Sequence, residues 1–385
     1  MTPSKSNAAA NERLMSLDVF RGATMAAMLL VNNPGDWDNL YSQLDHAAWN
    51  GWTFTDLIFP FFLWIVGVAI PLSLGRRLEN GEPRQKAVWR ILRRSVIIIA
   101  LGVALNGFPR YDFSTIRFPG VLQRIGVCYL FASLIFINTT IRGQVIATLS
   151  LLAGYWLLMA LMPVPGWGRG LLSEHGNFSE FVDTLLLHGH MWRETRTYDP
   201  EGIVSTIPAI ATVLFGIMSG QLLRSRLSAP EKTAWLFVAG NFLLLAGQIM
   251  NYWLPINKKL WTSSYAVFMA GMAMNVFAVC YWLVDVKGRK TWAGPFAVYG
   301  MNAITVFVLT GLLGRISTLV KVGAENGNPI VLKTWLFGHL KAVFERIGGP
   351  LATPKNSSLL YALMYVALMY GVAWVMYRRK WFVRL

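Results

Sequence analysis

Charge is scarce in this sequence. Asp, Glu, Lys and Arg make up 14% of the 385 residues, against 55% hydrophobic. A soluble protein carries nearly twice that charged share. The apolar residues also fall in long blocks, so a soluble globular domain is excluded and an all-α integral membrane protein is expected. Cysteine is nearly missing as well. Cys128 and Cys280 both lie inside apolar stretches, where they read as buried small hydrophobes, and no disulfide framework is implied. Histidine is sparse, with five residues. His188 and His190 form an HGH triplet without a third ligand at standard spacing, so no metal site is expected. Acidic residues are the minority charge, 19 against 35 basic, for a net +16. The cations sit between apolar blocks rather than on one soluble face, which argues against a nucleic-acid partner. No cleavable leader is expected, because the first apolar stretch follows the polar MTPSKSNAAANER and ends at VNNPG rather than at a small-residue site. No internal repeat is evident.

What is present is a series of spans. At about 20 mostly apolar residues per crossing, the pattern predicts about ten transmembrane helices. They fall at 16–33, 53–75, 89–108, 118–139, 143–163, 203–223, 232–254, 262–284, 293–315 and 358–378. Residues 1–12 read as a disordered cytoplasmic tail, and 164–202 and 316–357 as longer periplasmic loops. Segment 331–346, VLKTWLFGHLKAVFER, has apolar residues at helical spacing with Lys and Glu between them. It is too short and too charged to cross, and predicts an amphipathic helix in the last outer loop. Lys and Arg set the orientation. One side collects Arg76, Arg77, Arg84, Lys86, Arg90, Arg93 and Arg94, then Arg142, Arg224, Arg226, Lys287, Arg289 and Lys290. The other side has no Lys or Arg between the first two spans. Both termini are therefore expected in the cytoplasm, and the loop before the second span outside, in the periplasm of a bacterial inner membrane.

Polar groups inside spans are expensive and face the bundle interior or a wet cavity. Asp18 and Arg21 sit three apart in the first span, Asp56 one turn into the second, Gln123 and Arg124 in the fourth, Asn241 and Gln248 in the seventh, and Asn302 in the ninth. For Asn241, Gln248 and the Asp18–Arg21 pair, interhelical bonding that fixes the bundle accounts for the residues as readily as function does. Arg124 and Asp56 point to a site, because a buried cation needs an anionic partner. The outer loops repeat the theme: Asn32, Asn33, Asp45, His46, Trp49 and Asn50 in the first, Arg110 and Arg117 in the next, Asp199 and Glu201 before the sixth span, and Asn257 and Lys258 after the seventh. Amides, carboxylates and indoles at one rim are what a sugar site uses: planar hydrogen-bonding groups plus an aromatic platform. A lone loop histidine is usually only solvated. His46 stands above that background because Asp45 adjoins it and a polar rim surrounds it, and an imidazole suits removal of a proton from an amine or hydroxyl.

Seven stretches carry a family resemblance: RLMSLDVFRG (13–22), LLVNN (29–33), HAAWNGWTFTDLIFPFF (46–62), FPGVLQRIGVCY (118–129), YDPEGIVSTIPAI (198–210), LPINKKLWTSSY (254–265) and VDVKG with GPFAVYGMNAITVF (284–307). In this order they resemble the heparan-alpha-glucosaminide N-acetyltransferase family of transmembrane acyltransferases, as a bacterial branch without the lumenal domain ahead of the first span. The resemblance implies a single transmembrane acyltransferase domain over 1–385, a homodimer in the bilayer, acetyl-CoA as cytosolic co-substrate, and the amine of a glucosamine-type sugar as acceptor on the far side. It also implies His46 as the catalytic residue and Asn32 as its helper. The intervening loop is longer here, so Asn33 is an alternative to Asn32.

The expected site then has three parts. His46 deprotonates the amine, Asn32 polarises the thioester carbonyl for roughly 3–4 kcal/mol of barrier lowering, and Asp45 or Asp56 orients the imidazole. Trp49, Asn50, Asp56, Arg124, Glu201, Asn257, Lys258 and Asn302 are expected to contact the sugar substrate. Arg13, Arg21, Arg93 and Arg94 are expected to meet the coenzyme A phosphates. Direct transfer and an acetyl-histidine intermediate both fit. A sugar or oligosaccharide transporter is the rival class. Its site belongs at the midplane, commonly beside broken helices, whereas the polar cluster here leans to the outer rim.

Overall fold

The computed structural model describes residues 14–325 and 328–383. The predicted tail 1–12 and Arg13 lie outside the described residues. In chain order the long helices are α1 (Met15–Asn32), α2 (Phe54–Glu79), α3 (Arg84–Gly107), α4 (Val121–Asn138) and α5 (Ile141–Leu161). A shorter α6 (Phe178–Leu187) follows, then α7 (Ile203–Arg224), α8 (Ala229–Met250) and α9 (Ser263–Val286). Next come α10 (Gly294–Met301), α11 (Ala303–Leu319), the antiparallel hairpin β1 (Lys321–Glu325) and β2 (Asn328–Val331), α12 (Leu332–Ile347) and α13 (Pro354–Arg378). The chain is an all-α membrane protein in which the hairpin is a small exception.

Among the described residues seven helices are long and apolar enough to cross a bilayer: α2, α4, α5, α7, α8, α9 and α13. The ninth predicted span is not one helix. It breaks at Asn302 into α10 and α11, bent by 78°, and the pair adds an eighth crossing if counted as one. The count of ten is not reached by this measure because α1 carries Asp18 and Arg21, and α3 carries Arg90, Arg93 and Arg94. The predicted amphipathic helix is α12, with no residue of its own buried. It leans on the bundle through Phe337, whose ring meets Tyr361 of α13 edge-on at 5.8 Å.

Lipid offers no hydrophobic drive between helices, so close backbone approach and dispersion hold them together. Where α2 crosses α7, a Cβ on Gly67 would lie 2.1 Å from the Val213 carbonyl oxygen, and one on Gly216 the same distance from that of Trp64. Only glycine permits that crossing. Beside it Phe20, Phe61, Trp64 and Phe277 form an aromatic core with centroid separations of 5.2–5.9 Å. The parallel α2–α7 pair brings the N-termini of both helices to the same end of the bundle.

Candidate active site at the rim of the bundle

Residues 44–56 turn from a short loop into α2, and the turn chemistry builds the site. Thr53 is the N-cap residue and Asp56 the third helical residue of a capping box, in which the carboxylate reaches back to the helix start. Asp56 Oδ2 accepts from Thr53 N at 3.0 Å, from Thr53 Oγ1 at 3.1 Å and from Ala47 N at 3.0 Å. Its Oδ1 accepts from His46 Nδ1 at 2.7 Å. A carboxylate bearing four donors is a firm anchor, and it lies only 1% exposed beneath an imidazole that is 43% exposed. Because the carboxylate only accepts, the Nδ1 proton belongs to the ring, and the neutral imidazole carries its lone pair on Nε2. This is the tautomer a general base needs. The backbone carbonyl of Asp56 is in turn held by the buried Tyr265 hydroxyl at 2.6 Å.

Asp45 does a different job: its Oδ1 accepts from the His46 backbone N–H at 2.7 Å. Of the two predicted carboxylates, Asp56 therefore orients the ring and Asp45 the main chain.

The loop before α9 closes over this pair. Lys258 Nζ lies 3.1 Å from both His46 ring nitrogens and 3.9 Å from Asp56 Oδ1. A nitrogen equidistant from both at that range stands over the ring face, since in the plane it would collide with Cε1. Asn257 fixes the loop by donating from Nδ2 to the Trp49 carbonyl at 2.9 Å and to Asn50 Oδ1 at 3.2 Å. Trp49 is occupied structurally. Its Nε1 donates to the Leu172 carbonyl at 2.8 Å, and Lys259 Nζ sits 5.5 Å from its ring centroid.

A second ionic cluster lies where α7 begins. Arg117 donates from Nε and Nη2 to the two Asp199 oxygens at 2.7 and 2.6 Å, and also to Glu201. Burial alone would lower the Arg117 pKa, but the Asp199 and Glu201 carboxylates carry it above its ordinary value. Burial would raise Glu201, but Arg117, Arg124 and Lys258 hold it below the usual carboxylate range. Arg124 is 2% exposed; it donates to the Gly202 carbonyl at 3.1 Å and to the Ser205 hydroxyl, and stacks on Trp261. Its Nε and Nη1 have no hydrogen-bond partner among the described residues. Glu201 and Lys258 thus link the two clusters electrostatically.

The remaining predicted residues make no hydrogen bond to His46, Asp56 or Lys258 among the described residues. Asn32 is exposed at the end of α1, and Asn33 donates to the Leu29 carbonyl at 2.9 Å. Asn302 is buried at the α10–α11 break, and neither amide atom has a hydrogen-bond partner among the described residues. Arg21 donates to Asp18 at 3.2 Å and to the Gly300 carbonyl at 3.3 Å. Arg94 lies over the Tyr129 ring at 4.8 Å, while Arg93 is exposed. Sequence reading missed Thr53, Tyr265 and Ser205. The Thr53-x-x-Asp56 spacing is a capping-box signal and was available; the other two depend on folding partners far away in sequence.

The sequence is similar to known proteins. A family model described as "Heparan-alpha-glucosaminide N-acetyltransferase, catalytic" matches residues 13–248. The heparan-alpha-glucosaminide N-acetyltransferase of Homo sapiens is 31% identical, over 77% of this chain and 52% of the relative. That of Mus musculus is 29% identical, over 77% and 53%. The chain spans about half the length of these relatives.

Proposed function

This chain belongs to the heparan-alpha-glucosaminide N-acetyltransferase catalytic family, and from that membership we propose that it is a membrane N-acetyltransferase. It moves an acetyl group from cytosolic acetyl-CoA to the amine of a glucosamine-type sugar at the rim that carries His46. The observation that carries this reading is the His46–Asp56 pair at 2.7 Å, with Nδ1 committed to the carboxylate. His46 Nε2 takes a proton from the sugar amine as its nitrogen attacks the thioester carbonyl carbon. The C–N bond forms, the C–S bond breaks, and the coenzyme A thiolate recovers the proton. Positioned base catalysis of this kind contributes about 10²–10⁴-fold. Asn32 belongs to the same rim as an oxyanion donor, and Trp49, Asn50 and Asn257 shape the sugar side. Arg13, Arg21, Arg93 and Arg94 face the phosphates, with both termini in the cytoplasm of a bacterial inner-membrane homodimer.

The break at Asn302 supports a second reading, because a discontinuous helix with a buried amide is what a transporter uses. One experiment separates them. Purified protein is given radiolabelled acetyl-CoA and a panel of amino sugars, and the same protein is placed in liposomes with labelled sugar. N-acetylated product supports transfer. Sugar uptake without product on any amine overturns it in favour of transport.

A further inference from the structure

The geometry points to a self-modification site: Lys258 is an internal acceptor, acetylated on Nζ from the bound thioester when no sugar amine is present. This inference rests on the acetyl-transfer reading above. Lys258 brings a primary amine, the group that glucosamine must present, to within 3.1 Å of His46 Nε2. Nζ stands over the ring face, and rotation of the flexible side chain carries it into the lone-pair direction of Nε2. The neighbouring Lys259 points elsewhere, with Nζ 3.6 Å from Glu174 and over the Trp49 ring. It is a built-in control one residue away.

The step balances without a further reagent. Neutral Nζ attacks the acetyl carbonyl carbon, its proton passes to His46 Nε2, the N–C bond forms and the C–S bond breaks. Coenzyme A leaves as the thiolate and takes the proton from the imidazolium. The product is an amide, too stable to hand the acetyl group on. Acetyl-Lys258 is therefore a dead end that removes the cation and places an acetamide over the base. Acceptor protects the enzyme by competing for the thioester. Burial lowers the Lys258 pKa; Arg124 and Lys259 act in the same direction, and Asp56 and Glu201 offset part of it, which enlarges the neutral-amine share. The rate of self-acetylation should accordingly rise with pH.

The test is to incubate the full-length protein with isotopically labelled acetyl-CoA, with and without glucosamine, and to map the label by peptide mass spectrometry. Wild type is expected to carry label on Lys258 at least about tenfold above Lys259, the advantage of a held geometry. Glucosamine should slow the labelling. His46→Ala should reduce Lys258 to the level of Lys259, and Lys258→Arg should remove the site while the remaining lysines keep their background. Equal label on Lys258 and Lys259, or labelling indifferent to His46→Ala, overturns the inference as non-specific chemistry. Acetylated glucosamine with an unlabelled Lys258 overturns it and leaves the transfer reading intact. Neither product overturns both.

Discussion

Two ionic clusters share the rim, and they differ in what remains available. Within the Arg117–Asp199–Glu201 group the charges are taken up, the unmet donors of Arg124 lying outside it: Asp199 is fully buried and doubly bonded, and Glu201 is held by the same guanidinium. Around His46 the carboxylate is equally engaged, yet the imidazole above it keeps an open face. The first cluster ties the loop before α7 to the loop before α4 and acts as a brace. The second fixes one ring nitrogen and leaves the imidazole partly exposed. A charged pair in a membrane protein is thus informative through its leftover capacity rather than through its presence.

This contrast can be broken from either side, beginning with the largest effect. Arg117→Met strands the buried Asp199 and the largely covered Glu201, and losing one partner of a buried pair costs about 3–5 kcal/mol. The variant should show a sharply lower unfolding midpoint in detergent, while its turnover per folded molecule stays within a few-fold of wild type. A large turnover loss at unchanged stability would make Arg117 part of the chemistry. Asp56→Asn should do the reverse. An amide cannot hold the Nδ1–H tautomer as the carboxylate does, and about a hundredfold loss in kcat, near 2.7 kcal/mol, is expected with KM for the sugar little changed. Unaltered kcat would reduce Asp56 to a helix cap.

Asp183 offers a titration within the brace. It accepts from Ile203 N at 3.0 Å and Asp199 N at 3.2 Å, and burial pushes its carboxyl up to about 6. The folded state therefore binds this proton more tightly than the unfolded chain, and the Asp183 contribution to stability falls as pH rises from about 4 to about 6. Relative to Asp183→Asn, wild type should gain on the order of 2 kcal/mol between pH 7 and pH 4, read from paired melting curves. A pH-independent difference would contradict the assignment. The smallest effect belongs to the cap itself: Thr53→Ala should cost about 1 kcal/mol and lower kcat only through a looser Asp56.

Much of this was legible in the sequence, and the failures have physical causes. Hydropathy locates spans because lipid leaves helices few alternatives, so nine of the predicted segments coincide with long helices. The ninth does not, because YGMNAITVF is apolar enough to look continuous; the break depends on α10 packing against α1, where a Cβ on Gly22 would lie 1.7 Å from the Phe296 carbonyl oxygen. His46 stood out through its company, but its partner did not. Asp45 adjoins it in sequence, whereas Asp56 reaches it only because the first turn of α2 folds back over the loop. Lys258 was legible as a rim residue, yet its placement over the imidazole bridges 212 positions and depends on Asn257 locking its loop to Trp49 and Asn50.

The most direct measurement is single-turnover acetyl transfer to glucosamine by wild type and His46→Ala, each saturated with labelled acetyl-CoA, with coenzyme A binding measured in parallel. The account predicts that His46→Ala binds the donor nearly as well and transfers at least about a hundredfold more slowly. Transfer at the wild-type rate would contradict it.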